Sequence, residues 1–496
     1  MAFAINLEYK PYVALYRRLS DALRKAILEG RLKLGEPMPS VRELSESLKL
    51  SRATILKAYQ DLQAQGLVVS HSGSGTFVAT TLPGDLGDLI QERFKEAEVL
   101  ESMHSTNLKL ASRGETLLAV GLSQLKGDAN VHVPELAYGG TPLELSPIRD
   151  WKALMLKHCA LEKDETVAEM IAPLGLKGLR EALAAYVMRR RSIDVSADAI
   201  CVTGSKQLRV EMVGRMLLDA GDVVAYEEPG YPESRNTLLA QGAVIAPIPV
   251  DEEGLSVKAL RALPTPPKLI YVTPAHHDPL TVVMSMPRRK ELLEYAAAVG
   301  AFILEDDFDS EFRYGKPILP SLKALDHHDC VIHMASFWKV LHQTLRLSYL
   351  IFPRCLILPA RLVKGYLERH LPLIDQLALT DLINEGHLEK HIKRSLRPLA
   401  YRRQALILAI TRYLRDFVEP IGEGGGTQLL LNFKNFNRDT VSQAAERCHL
   451  SLYSTDSYYL GDVPEAQFVV PFAVVDPDTI DDIVKNFAAA LVSSRN

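Results

Sequence analysis

Hydrophobic residues recur three and four positions apart early in the chain and outline three helices followed by a hairpin. In "YVALYRRLSDALRKAILEGRLKLG", Leu15, Leu19, Leu23, Ala26 and Ile27 fall on one stripe, closed by Gly30 and Gly35. "PMPSVRELSESLKL" starts a second helix, with Ser40 as N-cap and Glu43 three residues on, a capping box. Ser51 caps the third, "LSRATILKAYQDLQAQG". Its buried stripe is Ile55, Ala58, Tyr59 and Leu62, which leaves Arg52, Ala53 and Lys57 outward. "LVVSHSGSGTFVAT" then reads as two strands, Leu67–Ser70 and Thr76–Ala79, about a Gly/Ser turn.

The pattern changes further on. Residues 80–145 lack sustained periodicity and are expected to be a linker leading into the next domain. From about Trp151, helical patterns alternate with the β-rich runs "AICVTG", "DVVAYEEP", "KLIYVTP", "AFILEDD", "CVIHMAS" and "LSYLIF". That alternation predicts a mostly parallel sheet with crossover helices over residues 146–370. Residues 371–496 read as helices and then antiparallel strands, "TQLLLNF" and "QFVVPFAVV", a smaller α+β domain. The fold class is thus multidomain: a winged helix-turn-helix over residues 10–79, then a large α/β body.

Charge divides along the same line. Residues 1–79 hold eleven lysines and arginines against seven acids, and the remainder holds 46 against 54. A basic head on an acidic body suggests that only the head meets a polyanion, here double-stranded DNA. Arg52 could donate two hydrogen bonds to a guanine edge. Arg42, Lys57 and the Ser51 and Thr54 hydroxyls could hold phosphates, and the Ser72, Gly73, Gly75 tip could lie along the backbone or minor groove. A winged helix used for protein contacts is the plain alternative. The five cysteines are scattered without metal or disulfide spacing, which predicts reduced, mostly buried thiols in a cytoplasm and no metal site. No apolar run of about 18 residues suggests a membrane span, and no basic-then-apolar leader suggests secretion.

Polar residues cluster where ligands bind in such sheets, at the carboxyl ends of the strands. "TGSKQ", "EEPGY", "TPAHHDP", "EDDFD" and "SFWK" each follow a strand. Lys339 in the last asks whether it carries an aldehyde cofactor or is a solvated helix lysine. Only about one free lysine in a few thousand is neutral at pH 7. A Schiff base therefore needs a nearby cation, which Arg346 could supply, and an apolar wall, which Phe337 and Trp338 could provide. Asp306 is placed to face a pyridinium nitrogen, and Tyr231 to stack on the ring. Gly204, Ser205, Lys206 and Gln207 open a helix that, with Ser336 and Arg346, could cradle a phosphate. Asp306 taken alone would more often be a helix cap or surface carboxylate, and His276 and His277 could equally be loop histidines.

The stretch "GRLKLGEPMPSVRELSESLKLSRATILKAYQDLQAQGLVVSHSGSGTFV" resembles the GntR family of bacterial regulators. "VTGSKQ", "EEPGYPESR", "YVTPAHHDP", "EDDFDSEFRYGKP", "SFWKVLHQTLRLSYL" and "DQLALTDLINEGHLEKHIKR" resemble fold-type I aminotransferases, in order. With the head attached, the whole chain resembles the MocR/GabR-type subfamily. The resemblance implies pyridoxal 5′-phosphate on Lys339, Asp306 at the ring nitrogen, and Arg346, Ser205 and Ser336 at the phosphate. It also implies a head-to-tail homodimer.

Four positions depart from that pattern. Phe308 stands for a tyrosine, Met170 for a tyrosine, Gln428 for a histidine, and Val469 for the arginine that grips a substrate carboxylate. Asp278 lies near Phe308 in the pattern and could compensate. Losing a charge-assisted contact costs about 1.5–3 kcal/mol. The expected function is a DNA-binding regulator that senses a small-molecule effector, the cofactor or an amine, in a degenerate aminotransferase-like body. A working aminotransferase, and a regulator that has lost the cofactor for another effector, are the alternatives.

Overall fold

Leu19, Leu23, Ala26 and Ile27 are buried on one side of the first helix, α1 (Leu15–Leu28), and seed the core of the head. The computed structural model describes residues 14–28, 32, 35–64, 67–71, 75–79, 110–118, 145–159, 172–315, 317–341, 345–421 and 425–494. The chain divides into two units, Met1–Lys109 and Leu110–Asn496. In the first, α2 (Val41–Leu48) and α3 (Arg52–Ala64) follow α1, then a hairpin of β1 (Val68–His71) and β2 (Gly75–Val78). Ile55, Ala58, Tyr59 and Leu62 close the core from α3. Ser20, fully buried, donates its hydroxyl to Asp61 across the α1–α3 contact at 2.5 Å. Leu15 lies on the α1 stripe yet is 39% exposed. A helical side chain covers the turn before its own Cα, and the first residue of a helix has no such turn.

In the second unit eight strands form one sheet. In chain order they are β3 (Ile200–Thr203), β4 (Val223–Glu228), β5 (Val244–Asp251), β6 (Gly254–Leu255), β7 (Leu269–Val272), β8 (Phe302–Asp307), β9 (Val331–Ser336) and β10 (Ser348–Ile351). Their spatial order is β3-β10-β9-β8-β7-β4-β5-β6. The run from β5 to β9 is parallel, and β10 is reversed between β9 and β3. Helices Lys206–Leu217 and Ile357–Leu367 cover one face over Tyr226, Tyr271, Leu304 and Met334. Helices Met286–Val299 and Lys177–Arg191 cover the other. The inner parallel strands β4, β7, β8 and β9 are buried on both faces, as such sheets require, whereas β5 near the edge is largely part-exposed.

β5 was not among the runs read as strands, because Pro247 and Pro249 interrupt it. Proline is tolerated where its missing N–H faces away from a neighbour. Here the Pro249 carbonyl accepts from Ser256 N, so both prolines turn that side from β4. A second sheet, order β11-β12-β14-β13, is wholly antiparallel: β11 (Val418–Ile421), β12 (Gln428–Phe433), β13 (Tyr453–Ser454) and β14 (Gln467–Pro471). Leu429, Leu431, Phe468 and Val470 face its own core, so Gln428, Leu430 and Val469 share the opposite face. The thiols are less hidden than expected: Cys201 and Cys330 are buried, but Cys159 and Cys355 are exposed. Among the described residues no helix is long and apolar enough to cross a membrane.

The capping box closes as read: Ser40 Oγ accepts from Glu43 N at 3.2 Å, and Glu43 Oε2 accepts from Ser40 N at 2.9 Å. Ser40→Ala should cost α2 about 1 kcal/mol. Amide exchange of the full chain should show Val41–Leu48 opening about fivefold more often, with the exchange of β3 to β10 unchanged.

Candidate functional site

The head presents its candidates around the start of α3. Arg52, Ala53 and Lys57 are exposed, and Arg42 is exposed on α2. Ser51 Oγ accepts from Thr54 N at 3.1 Å and meets Thr54 Oγ1 at 2.8 Å, so both hydroxyls order the helix start. Lys57 Nζ lies 4.2 Å over the Tyr16 ring, which steadies its long stem. Gly75 opens β2 at φ +102°, with open space where a Cβ would stand. Ser72 and Gly73 lie outside the described residues, as does Met170.

In the body the five strand ends bring most of the other candidates together. Lys339 sits in a helical turn after β9, where Val340 N and Leu341 N both donate to Phe337 O. Phe337 is buried between Tyr186 and Tyr349, with ring centroids at 6.1 and 5.7 Å, and fixes that turn. Lys339 is 7% exposed. Its amine stands 3.5 Å from Thr427 Oγ1, 3.7 Å from Asp309 Oδ2 and 4.6 Å over the Phe308 ring. A carboxylate, not the expected guanidinium, is thus set against the amine. Arg346 is exposed, one residue before Leu347, whose carbonyl accepts from Phe337 N.

Asp309 is fully enclosed. Burial alone would raise its carboxyl, but His276 and Lys339 beside it hold it below the usual range. His276 Nδ1 is 2.9 Å from Asp309 Oδ2. Gly426, at φ +68°, passes so close that a Cβ there would run into both side chains. Asp278 is buried and accepts from Gln428 Nε2 at 3.0 Å. Burial raises its carboxyl, against the pull of Lys339 and Lys206.

The second group stands at the end of β8. Asp306, 1% exposed, accepts from Tyr271 OH at 2.5 Å and pairs with Lys206 Nζ at 2.6 Å, both at Oδ2. Its Oδ1 is buried with no hydrogen-bond partner among the described residues. Lys206 Nζ also lies 3.7 Å over the Tyr231 ring. Ser205, the N-cap of helix Lys206–Leu217, accepts from Leu208 N at 3.2 Å, and Ser336 is half-buried at the end of β9.

Asp309, Thr427 and Tyr271 join the site without being among the candidates the sequence offers. Asp309 and Thr427 meet Lys339 from far along the chain, with no local period to announce them. Tyr271 did carry a signal: a tyrosine inside the wholly apolar run "LIYV" needs a partner for its hydroxyl.

Residues 15–78 match the bacterial regulatory proteins of the GntR family, and residues 136–356 match aminotransferase class I and II. That class implies a body that depends on pyridoxal phosphate. The chain is 30% identical to the probable rhizopine catabolism regulatory protein MocR of Rhizobium meliloti, over 97% of this chain and 94% of that one. It is 27% identical to the pyridoxine biosynthesis transcriptional regulator PdxR of Corynebacterium glutamicum, over 96% and 95%. In fold, the Pyrococcus horikoshii kynurenine aminotransferase superposes with a TM-score of 0.67 at 23% identity, covering 83% of this chain and all of the other.

Behind Asp278, Glu227 is buried at 2% exposure and accepts from Thr273 N and Oγ1 at 2.9 and 2.6 Å. Burial pushes its carboxyl up from 4.5 to about 8. Burial, with His276 near, drives His277 down to about 3, so that ring is neutral and adds no compensating charge. The folded chain therefore keeps a proton on Glu227 that the unfolded chain releases. Its stabilising effect is full below pH 4.5 and is lost as pH rises through about 8. Glu227→Gln removes that titration. Denaturant unfolding from about pH 5 to about pH 8 should show wild type losing about 1 kcal/mol per pH unit relative to the variant.

Proposed function

Because the chain belongs to the MocR/GabR-type subfamily of GntR transcriptional regulators, we propose that its head grips operator DNA while its body holds pyridoxal 5′-phosphate on Lys339 and reads a small molecule there. The observation that carries this reading is the buried Asp306 Oδ1 left without a partner at the same strand ends as a buried lysine. The residues fit the group: a carboxylate oxygen in want of a donor, an aromatic face in Tyr231, an amine in Lys339, and a capped helix start at Ser205. When bound, pyridoxal phosphate supplies an aldehyde that primary amines capture and a ring that withdraws electrons. Lys339 would hold the aldehyde carbon, Asp306 would accept from the ring nitrogen, and Tyr231 would lie against the ring. Ser205, Ser336 and Arg346 would receive the phosphate. His276 and Asp278, with Asp309, set the charge around the amine.

Residues that a transaminase needs have been replaced. Phe308 places a bare ring 4.6 Å from the Lys339 amine and offers no hydroxyl. Val469 is 1% exposed on the sheet face it shares with Gln428 and Leu430, an apolar wall where a carboxylate clamp would stand. Arg235 is committed elsewhere, donating to Tyr458 O at 2.9 Å and Ser457 O at 2.6 Å. Arg313 lies beside Gly425, and its charge bears on Asp309. A substrate carboxylate thus forgoes about 1.5–3 kcal/mol, roughly ten- to a hundred-fold in affinity. The body is a sensor rather than an enzyme. It works as a homodimer: Leu358, Leu362 and Tyr366 repeat every fourth residue along helix Ile357–Leu367 at 64%, 55% and 89% exposure, an apolar stripe suited to a second copy.

Purified protein mixed with pyridoxal phosphate should absorb near the visible edge, and borohydride should fix the cofactor's mass on Lys339 and nowhere in Lys339→Ala. Protein that stays colourless overturns the reading, and steady turnover of amino donor with keto acid overturns the sensor half of it. In the head, Arg52→Ala should weaken binding to the promoter fragment of an adjacent gene by about 1–3 kcal/mol with the body's spectrum unchanged.

A further inference from the structure

The two groups that a pyridinium ring needs, a buried carboxylate and an aromatic face, are both engaged by one side chain. Lys206 Nζ is 2.6 Å from Asp306 Oδ2 and 3.7 Å from the centroid of the Tyr231 ring. We infer that Lys206 is a displaceable internal cation, a stand-in for the ring's positive edge, and that a pyridoxal-type ligand enters only by driving it off Asp306 and Tyr231. Granted pyridoxal phosphate on Lys339, on which this inference rests, three observations lead to it.

The first is steric. Stacked carbon atoms touch at roughly 3.5–4.0 Å. An ammonium 3.7 Å from the Tyr231 centroid fills the layer that a stacked ring must take. The second is electrostatic. Asp306 is 1% exposed, so it holds a charge only with a cation against it. A ring nitrogen protonated at Oδ1 and an ammonium at Oδ2 would crowd two positive charges onto one carboxylate, and they repel at that separation. The third concerns mobility. Lys206 is the first residue of helix Lys206–Leu217, and a cation there opposes the helix dipole, so the backbone gives it no hold of its own. Its side chain is 19% exposed on a flexible four-carbon stem, against 1% for the carboxylate it neutralises. The partner that can leave is the lysine.

In the ligand-free protein Lys206 keeps Asp306 neutralised and the site closed over Tyr231. The ligand must replace an ion pair already made, so its affinity is lowered and its binding is readily reversed. That suits a regulator that follows a free concentration, and it would burden an enzyme that must stay loaded.

The test uses the full chain and pyridoxal 5′-phosphate as the probe, read by absorbance, Trp338 fluorescence and ligand-induced thermal shift. Lys206→Met and Lys206→Gln should bind at least tenfold more tightly than wild type and show a larger thermal shift, because without ligand they leave Asp306 without its ion-pair partner. Lys206→Arg, which keeps the charge, should bind as wild type or more weakly. In wild type, acetylation of Lys206 followed by peptide mass spectrometry should increase when pyridoxal phosphate is added, a readout that needs no variant to fold. Neutral variants that bind no more tightly than wild type, or a Lys206 protected by the ligand, overturn the inference while leaving Lys339 as the attachment site. Wild type with no hydride-fixed mass on Lys339 instead overturns the parent reading, and the inference falls with it.

Discussion

Four carboxylates within five residues, Glu305, Asp306, Asp307 and Asp309, are each no more than 4% exposed at the end of β8. No other constraint organises the body so strongly, because an isolated carboxylate in such a setting costs several kcal/mol. Each is answered from a different part of the chain. Glu305 meets His333 Nδ1 on β9 at 2.9 Å and accepts from Leu322 N and Lys323 N. Burial would raise its carboxyl, yet His333 with Arg191 and Arg289 brings it down to about 2. Arg191, the last residue of helix Lys177–Arg191, pairs with Asp307 at 2.6 Å. Asp306 takes Lys206 and Tyr271, and Asp309 takes His276 and Lys339. The central strand can keep its acids only while β7, β9 and the five flanking segments that carry Leu322, Arg191, Lys206, His276 and Lys339 stay in register.

The pleat separates the four by purpose. Glu305 and Asp307 point to the sheet face shared with Ile303, where His333 and the rigid guanidinium of Arg191 meet them. Asp306 points to the opposite face with Leu304, and Asp309 lies past the strand end. Both of these are met by lysines, whose compact, mobile ammonium groups can be exchanged or turned into covalent attachment points. A frame therefore lies on one side and a changeable site on the other, set by a single residue's alternation. The Phe308 ring stands between the two amines, 4.6 Å from Lys339 and 5.6 Å from Lys206. A tyrosine there would bring a hydroxyl into this pair of cations; phenylalanine brings none.

Much of this arrangement was legible in the residues. The alternation of helical and β-rich runs located six strands of the large sheet, and the polar clusters after them located the ends that converge. The capping box of Ser40 and Glu43 was readable because both its bonds span three residues. What escaped reading depends on distance along the chain. Lys339 and Thr427 are 88 residues apart, and Gln428 and Asp278 are 150. β5 hid behind two prolines that only its position near the sheet edge explains. The cation beside Lys339 was sought in Arg346, from spacing within one segment, whereas a carboxylate from the neighbouring strand end arrived instead.

On the proposed reading, the same charges explain why replaced transaminase residues need not mean a lost site. A ligand shifts an equilibrium only through a difference in its affinity for two states. In the proposed exchange Asp306 pairs at close range with either an internal ammonium or an external ring nitrogen, and the difference between them is what a ligand's concentration can tip. On the proposed reading, turnover would require a further clamp on a substrate carboxylate at the position of Val469, where Val469 and Leu430 present buried apolar surface. Nothing in the exchange at Asp306 depends on that clamp. On the proposed reading the sites for holding and for turning over are separable, because Asp306 lies on β8 of the large sheet and Val469 on β14 of the small one, so a change at the second leaves the first in place.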